Sequence, residues 1–137
     1  MTQEDKELLL KDLCARSPYK VMCQVSFDEE DVHIEPLESV RPFMSFNQIT
    51  TSGSVVSIDC VKPYLRPMSS MTDEEREEYR KFSYYGAAGI RDKDFTEMVA
   101  VPSFEKMDYL NSHHFDYRRL IEKGLALKAP NGMYNIK

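Results

Sequence analysis

The apolar positions at the start of the chain repeat at helical spacing. They place three leucines on one face of a helix over residues 3–14: Leu9, Leu10 and Leu13. Asp12 falls largely outside that face. Thr2 has the side chain of an N-cap, because its hydroxyl can accept a hydrogen bond from a free N–H of the first turn. The residue before Pro18 avoids helical angles, so the sequence predicts that the helix ends there.

An alternating pattern follows from residue 19 and predicts strands. In 19–27 one face carries a set of residues that we expect to point inward: Val21, Cys23, Val25 and Phe27. The acidic run 28–31 is typical of a tight turn. A second strand, over 32–37, would turn another set inward: Val32, Ile34 and Leu37. Pro36 cannot donate to a ladder, so we expect an edge or a bulge near it.

The rest of the strand-rich part is more broken. Residues 41–46 suit a short strand, and 48–54 suit a connection rich in turn residues. Residues 55–65 form a third clear strand, which we expect Pro63 to stop. Three to five short strands over 19–66 predict a small curled antiparallel sheet. An SH3-like partial barrel and a flat three-stranded sheet covered by helices both fit this spacing.

The second half of the chain returns to helical patterns. Thr72 and Glu75 have the spacing of a capping box, which predicts a solvated helix over 73–82. Residues 95–101 suit a short strand that returns to the sheet. A helix over 103–111 follows, with the serine at its start as the N-cap.

The stretch HHFDYRRLIEKG has the spacing of a helix–turn–helix corner. With Asp116 as N-cap, Phe115 and Leu120 take the positions of a hydrophobic staple. Gly124 suits the left-handed position that ends many helices. The sequence therefore predicts a last helix over 117–123, with Asp116 serving its first turn and Phe115 touching Leu120.

Two adjacent histidines, His113 and His114, leave three interpretations of this corner open. Neighbouring residues do not share a helix face, and a metal site needs convergent ligands, so a structural turn is favoured. A surface that contacts a partner is the second interpretation. The third is a catalytic site around both histidines and Asp116, which would require a cleft, a perturbed histidine pKa and a nearby nucleophile.

The sequence contains none of the familiar motifs that carry chemistry. Cys14, Cys23 and Cys60 are far apart and form no C-x-x-C, so we expect reduced thiols that behave as small hydrophobes. There is no G-x-S-x-G elbow, no H-E-x-x-H and no phosphate-binding glycine loop. The sequence therefore predicts no cofactor, no bound metal and no assignable catalytic residue.

The composition argues against two classes of function. A net charge of −5 disfavours a nucleic-acid binder, which usually carries a basic patch. No run of about 18 apolar residues is present, so no transmembrane helix is expected. The acidic start lacks the features of a secretory signal, which leads us to expect a cytoplasmic location. The length of 137 residues suits one domain, with a helix and sheet in 1–70 and a mainly helical part in 71–137.

Several stretches of the chain resemble one family of proteins. KPYLRPMSSMTDEE, residues 62–75, and DYLNSHHFDYRRLIEKGLALKAPNGMYNI, residues 108–136, are similar to an uncharacterised family of short proteins from gut Bacteroidetes and their phages. The opening EDKELLLKDLCARSPY is similar to theirs as well. Members of that family usually have glycine after HHFDYR, where this chain has Arg119. The resemblance implies a bacterial or phage setting and supplies no activity.

The function that these observations favour is a non-enzymatic interaction or accessory protein with a protein partner, built on an α+β fold. Aromatic side chains and arginine are common anchors of interfaces. The candidate binding residues are Tyr64, Arg66, His113, His114, Tyr117, Arg118 and Arg119. A nucleic-acid-associated regulator is one alternative, since small sheets bind nucleic acids through aromatic and basic side chains. A hydrolase centred on His113, His114 and Asp116 is the other.

Overall fold

The chain has an α+β fold, as its succession of helical and strand patterns predicts. The computed structural model describes residues 1–43, 46–82, 84–85, 101–102 and 104–134. A helix at the N-terminus packs on an open seven-stranded mixed sheet. Two further helices are described after the fifth strand.

The first helix, α1, spans Gln3–Arg16. The Thr2 hydroxyl accepts from the Asp5 N–H at 3.1 Å, and the Asp5 carboxylate accepts from the Thr2 N–H at 3.3 Å, so the two residues form a capping box. A 3₁₀ turn at Ser17–Tyr19 follows the helix at the expected proline. The predicted helix and its cap are confirmed. The placement of Asp12 outside the buried face is wrong, because this carboxylate is fully buried.

The described strands form one main sheet and one small ladder. They are β1 Met22–Ser26, β2 Val32–Phe43, β3 Phe46–Thr51, β4 Val55–Ser57, β5 Val61–Pro67, β6 Tyr84–Tyr85, β7 Val101–Pro102, β8 Phe115–Asp116 and β9 Leu127–Lys128. The main sheet has the order β4-β3-β2-β1-β5-β8, with β9 also paired to β5, and β6 pairs with β7. Pairings among β1 to β5 are antiparallel as predicted, whereas β8 and β9 join β5 in parallel. The sheet is therefore mixed, because the C-terminal part of the chain adds two short strands to it.

Strand β2 is long and pairs with a different strand in each of its two halves. Val32 to Pro36 pair with β1, and Leu37 onwards pairs with β3. The register shifts between Leu37 and Ser39, next to the proline where we expected a bulge. Such an irregularity bends a strand and increases its twist. The sheet does not close, so it is not a complete barrel.

Three residues that were expected to point inward are exposed: Phe27, Val32 and Ile34. Val32 lies opposite Ser26 and Ile34 lies opposite Gln24. Residues directly opposite in an antiparallel pair point to the same side of the sheet, and Ser26 and Gln24 lie on the outer face of β1. The strand itself was predicted correctly, but Val32 and Ile34 lie on its outer side. The other side is not buried here either, since His33 is exposed. Leu37, next to the register shift, is buried as predicted.

The segment predicted as a turn-rich connection, 48–54, is mostly strand. β3 continues to Thr51, whose hydroxyl donates to the Glu35 carboxylate across the ladder. That hydrogen bond lowers the pKa of Glu35. A Cβ atom at position 53 would stand 2.6 Å from a Glu35 oxygen, so Gly53 lets this carboxylate approach the turn.

The strand predicted over 55–65 is broken in the structure. A 3₁₀ turn at Ile58–Cys60 separates β4 from β5. Pro63 does not stop β5, which continues to Pro67. Cys23 with Pro63 is the last pair of the β1–β5 ladder, so the missing N–H of this proline falls where the ladder ends.

The helices of the second half begin and end close to the predicted positions. α2 spans Asp73–Lys81, and its capping box is confirmed: the Thr72 hydroxyl accepts from the Glu75 N–H at 3.1 Å, and the Glu75 carboxylate accepts from the Thr72 N–H at 3.0 Å. α3 spans Phe104–Ser112. The serine expected to cap α3 lies outside the described residues, as does all but the last residue of the strand expected over 95–101.

The last predicted helix, 117–123, is not a helix. The chain forms successive turns there, and Arg119 has a φ of 60°, a left-handed conformation that does not continue a right-handed helix. Gly124 has the predicted left-handed conformation, with a φ of 75°, but it ends a turn and not a helix. Its N–H donates to the Ile121 carbonyl at 3.1 Å, and the next N–H donates to the Leu120 carbonyl at 3.0 Å. These two bonds form a Schellman motif around a single turn.

Two hydrophobic clusters fill the fold. The larger lies between α1 and the sheet and also takes in Leu120, Leu125 and Ala126. The smaller joins α2, α3 and β8, and its members are Tyr109, Leu110 and Phe115 with the partly buried Met71, Tyr79, Phe82, Met107 and Tyr117. The corner between α3 and β8 therefore lies between the two clusters.

Replacing Arg119 by glycine should stabilise the protein by about 1 kcal/mol, because the left-handed backbone strains any residue that has a Cβ atom. Urea unfolding followed by circular dichroism measures the change. Arg119→Ala is the matched control, since it removes the same side chain and keeps the strain. Its stability should stay within about 0.5 kcal/mol of the parent. Equal stability of the glycine and alanine variants would contradict the assignment of strain.

Candidate functional site

The corner segment, residues 113–116, connects α3 to the sheet. The Arg66 N–H donates to the His114 carbonyl at 2.7 Å, at the start of the parallel pairing of β5 with β8. Buried backbone carbonyls need hydrogen-bond partners, and two buried arginines, Arg16 and Arg66, supply them to this segment. We call these two arginines, their carboxylate partners Asp12 and Glu75, and the corner segment the arginine junction.

Arg66 in β5 holds the corner segment from one side. Its guanidinium makes a bidentate pair with Glu75, at 2.7 and 2.8 Å, and donates to the His113 carbonyl at 3.3 Å. The same group lies 4.2 Å from the centre of the Phe115 ring. Hydrogen bonds from Arg66 hold the pKa of Glu75 at about 2, against burial, which acts to raise it. One ion pair therefore ties β5, the start of α2 and the corner segment together.

Arg16 at the end of α1 holds the corner segment through a different carbonyl. Its guanidinium donates to Asp12 at 2.7 Å and to the Phe115 carbonyl at 2.6 Å. Arg118 lies 3.3 Å from the second Asp12 oxygen. The centre of the Tyr117 ring lies 5.1 Å from the guanidinium of Arg16 and 5.1 Å from that of Arg118. Asp12 thus faces two cations, which explains how a carboxylate can be buried in the apolar face of α1.

The two histidines of the corner segment stack on different tyrosines. The ring centres of His113 and Tyr109 are 4.0 Å apart, and those of His114 and Tyr134 are 3.9 Å apart. His114 is buried, has a left-handed φ of 64°, and its Nδ1 has no hydrogen-bond partner in the described part of the chain. Burial, reinforced by the positive charge of Arg16, lowers the pKa of His114 to about 4. The ring is therefore neutral at pH 7.

Tyr134 joins β1 and β5 where the two strands separate. Its hydroxyl accepts from the Met22 N–H at 2.9 Å and donates to the Tyr64 carbonyl at 2.8 Å. The last pair of the ladder between these strands is Cys23 with Pro63. Met22 and Tyr64 are the next residues beyond that pair, and the Tyr134 hydroxyl supplies hydrogen-bond partners to their backbone groups. Burial raises the pKa of Tyr134, which keeps the proton that the bond to Tyr64 requires.

The Asp116 carboxylate accepts hydrogen bonds from backbone N–H groups, as predicted, but these belong to a later turn than expected. Its two carboxylate oxygens accept from the N–H groups of Leu120 and Ile121, at 2.8 and 3.0 Å. It therefore caps the single turn that Gly124 ends. The predicted contact of Phe115 with Leu120 is wrong, because the two side chains belong to different hydrophobic clusters.

The seven residues predicted to bind a partner do not form one surface. Three of them are buried and belong to the interior: Tyr64, Arg66 and His114. Three are half-buried around the arginine junction: His113, Tyr117 and Arg118. One is exposed: Arg119. The structure brings most of them together around a buried ionic network instead of an open patch.

The histidines of the arginine junction do not form the hydrogen bonds of a catalytic triad among the described residues. Nδ1 of His113 lies 3.0 Å from the Tyr109 carbonyl, which can only accept, and 3.2 Å from the Ser112 hydroxyl, which donates to the same carbonyl. Nε2, the nitrogen that would act as the base, has no serine or cysteine hydrogen-bonded to it among these residues. Desolvation raises the pKa of Cys23 to about 12 and also raises that of Cys14, which disfavours a nucleophilic thiolate. In the described ranges no group of His, Cys, Asp and Glu could hold a metal ion.

A groove beside α2 was missed by the sequence reasoning. It has a volume of about 480 Å³, and we call it the α2 groove. Its lining is Met68, Met71, Arg76, Tyr79, Arg80, Phe82 and Lys106. Met68 belongs to a 3₁₀ turn, Met68–Ser70, that follows β5. The i, i+3, i+4 spacing of Arg76, Tyr79 and Arg80 is visible in the sequence and places them on one helix face, but it does not show that the face borders a groove.

Tyr109 packs against the two aromatic side chains that line the α2 groove. The ring of Tyr109 lies 6.1 Å from that of Tyr79 and 5.8 Å from that of Phe82. The Tyr109 hydroxyl donates to the Glu75 carbonyl at 3.2 Å. Lys106 is buried, and its ammonium donates to the Tyr79 carbonyl at 2.7 Å and lies 3.9 Å from the centre of that ring. Burial lowers the pKa of Lys106.

A second groove of about 480 Å³ adjoins the first, with Met68 in both. Its lining is Pro67, Met68, Ser69, Asp116, Tyr117, Arg119, Ile121 and Glu122. Two of the predicted binding residues, Tyr117 and Arg119, therefore border a groove after all. It carries two carboxylates, on Asp116 and Glu122, and the Arg119 guanidinium, so its charges are mixed.

Comparisons with protein-family models, with curated proteins and with solved structures find no significant match to this chain. No described helix combines the length and the apolar character needed to cross a membrane.

Removing one partner of the Arg66–Glu75 pair should be costly, because it leaves a buried charge without compensation. We expect Arg66→Met to lose about 3–5 kcal/mol of unfolding free energy in urea, and the double variant Arg66→Met/Glu75→Gln to recover part of that loss. Arg80→Met is the control, since its pair with Glu77 is exposed. It should cost less than about 1 kcal/mol. An Arg66→Met variant no less stable than Arg80→Met would refute the role of the junction.

Acid should destabilise the protein through His114. Its pKa is about 4 in the folded state and 6.5 ordinarily, so the unfolded chain binds more protons between these values. Stability is then full above pH 6.5 and falls as the pH is lowered, by about 2 to 3 kcal/mol at pH 4.5. Urea unfolding over this range measures the loss. His114→Phe, which keeps a ring against Tyr134, should remove most of it, whereas His113→Gln should retain it. An unchanged pH dependence in His114→Phe would argue against this assignment.

Proposed function

We propose that this chain is a non-enzymatic accessory protein that binds another protein through the α2 groove. The observation that carries the proposal is the lining of that groove, in which two thioether side chains and two aromatic rings adjoin exposed arginines. Methionine adapts its shape to a partner, and aromatic residues and arginine are the residue types that most often anchor interfaces. In line with the resemblance of its sequence, we place this activity in a bacterial or phage setting.

The stability of the groove walls supports a binding role. Glu75 fixes the start of α2 through Arg66, and Lys106 fixes its end through the Tyr79 carbonyl. A helix held at both ends presents its side chains in one arrangement, so a partner does not have to order them on binding. Met68, at the rim, is 39% exposed and contributes apolar surface that a partner could cover.

The two alternative functions have weaker support. For a nucleic-acid-associated regulator, Tyr64 and Arg66 are buried and cannot contact bases or phosphates. For a hydrolase, no serine or cysteine is hydrogen-bonded to Nε2 of His113, and His114 has neither a nucleophile nor an acid bonded to it, among the described residues.

Selection of a displayed library of random peptides on the immobilised protein tests this proposal. Peptides enriched on the parent should bind it in solution and should bind Met68→Ser about tenfold more weakly, because apolar burial at the rim is lost. The matched control is Val55→Ser, which removes an exposed apolar side chain of β4 that does not line the groove.

Val55→Ser should bind the selected peptides as the parent does. Failure to enrich any peptide, or enrichment of peptides that bind the parent and Met68→Ser equally well, would sink the proposal. Circular dichroism of both variants checks that they are folded.

A further inference from the structure

The described residues that line the α2 groove include two basic side chains of α2 and none of its acidic ones. Arg76 and Arg80 are four residues apart and border the groove together with Tyr79. The exposed acidic residues of α2 do not line it: Asp73, Glu74, Glu77 and Glu78. The groove lining contains no carboxylate among the described residues. A protein with a net charge of −5 therefore presents a locally cationic rim at a groove lined by methionine and aromatic side chains.

The arginines at this rim are not neutralised by strong ion pairs. No carboxylate of the described chain lies within ion-pair distance of the Arg76 guanidinium. Arg80 pairs with Glu77 at 3.2 Å, but both side chains are about two-thirds exposed, at 65% and 68%, and such pairs contribute little. Like charges four residues apart on a helix repel each other. An external carboxylate between Arg76 and Arg80 would relieve that repulsion.

The secondary structure around the α2 groove limits the conformation that a bound peptide can adopt. The lining residues come from a 3₁₀ turn, the residue after it, α2 with its C-cap, and α3. None of these described elements offers a strand edge, so an extended peptide could not extend the sheet here. A helix satisfies its own backbone hydrogen bonds and can lay an apolar face on methionine and aromatic side chains.

From these observations we infer that the partner segment is an acidic amphipathic helix, which lays its apolar face on Met68, Met71 and Phe82 and its carboxylates on Arg76 and Arg80. The inference rests on the proposed function and adds the chemistry of the partner to it. The adjoining groove does not share this preference, because two carboxylates, on Asp116 and Glu122, line it together with Arg119. A nucleic acid would also be attracted by the arginines, but the thioether groups that line the groove offer a phosphate backbone no hydrogen-bond donor.

Peptides selected on the parent protein provide the probes for the test. Each is synthesised in two forms, one with its own Asp and Glu residues and one with Asn and Gln in their place, and binding is measured by fluorescence anisotropy. We expect the acidic form to bind the parent about tenfold more tightly than the amide form, with the difference shrinking as salt is added. The acidic peptide should gain helical circular dichroism in the complex.

Charge reversal at the rim provides the second arm. Arg76→Glu/Arg80→Glu should abolish the preference for the acidic form. Arg41→Glu/Lys123→Glu changes the net charge equally at exposed positions outside the groove and should keep it. If the reversed double variant does not fold, as judged by circular dichroism, Arg76→Gln/Arg80→Gln takes its place with the same expectation.

The outcomes separate this inference from the proposed function. Selected peptides that are not acidic, or whose amide forms bind equally well, would overturn the acidic partner, while their sensitivity to Met68→Ser would leave the groove as a binding site. Binding without any gain of helix would overturn the helical conformation. A single-stranded oligonucleotide that displaces the acidic peptides from the groove at equal concentration would overturn a peptide partner in favour of nucleic acid.

Discussion

Two buried arginines hold the same four-residue segment, and the rest of the fold depends on this constraint. Arg16 donates to the Phe115 carbonyl, and Arg66 donates to the His113 carbonyl and, through its own N–H, to that of His114. Neither arginine is an isolated charge, since each has a buried carboxylate partner. Removing such a charge from water is costly unless it is fully paired, so the corner segment, α1, α2 and β5 have to adopt their positions together.

This constraint connects the buried junction to the surface at which we place binding. The carboxylate that pairs with Arg66 belongs to Glu75, which also forms the capping box of α2. The orientation of α2, and with it the position of Arg76 and Tyr79, therefore depends on an ion pair in the interior. The histidine-rich stretch that looks most like a catalytic site forms a buried corner of the fold, and the groove at which we propose binding borders the helix that this corner positions.

Local features of this fold could be predicted from the sequence, whereas long-range ones could not. The caps of α1 and α2 involve residues three apart, such as Thr72 and Glu75, so they are visible in the chain. The strand at the start of β2 was also visible, but the side of the sheet to which its residues point depends on the strand beside it, and Val32 was assigned to the wrong side. The pairing of Arg66 with the corner segment joins residues far apart in sequence.

Because the arginine junction joins elements of both hydrophobic clusters, we expect the two clusters to unfold as one unit. Native-state hydrogen exchange at rising denaturant measures this, with the amides of β5 reporting on the larger cluster and those of α3 on the smaller. The most protected amides of both elements should exchange with the same free energy of opening, equal to that of global unfolding. Exchange of the α3 amides through a separate opening of several kcal/mol lower free energy, while β5 stays protected, would contradict it.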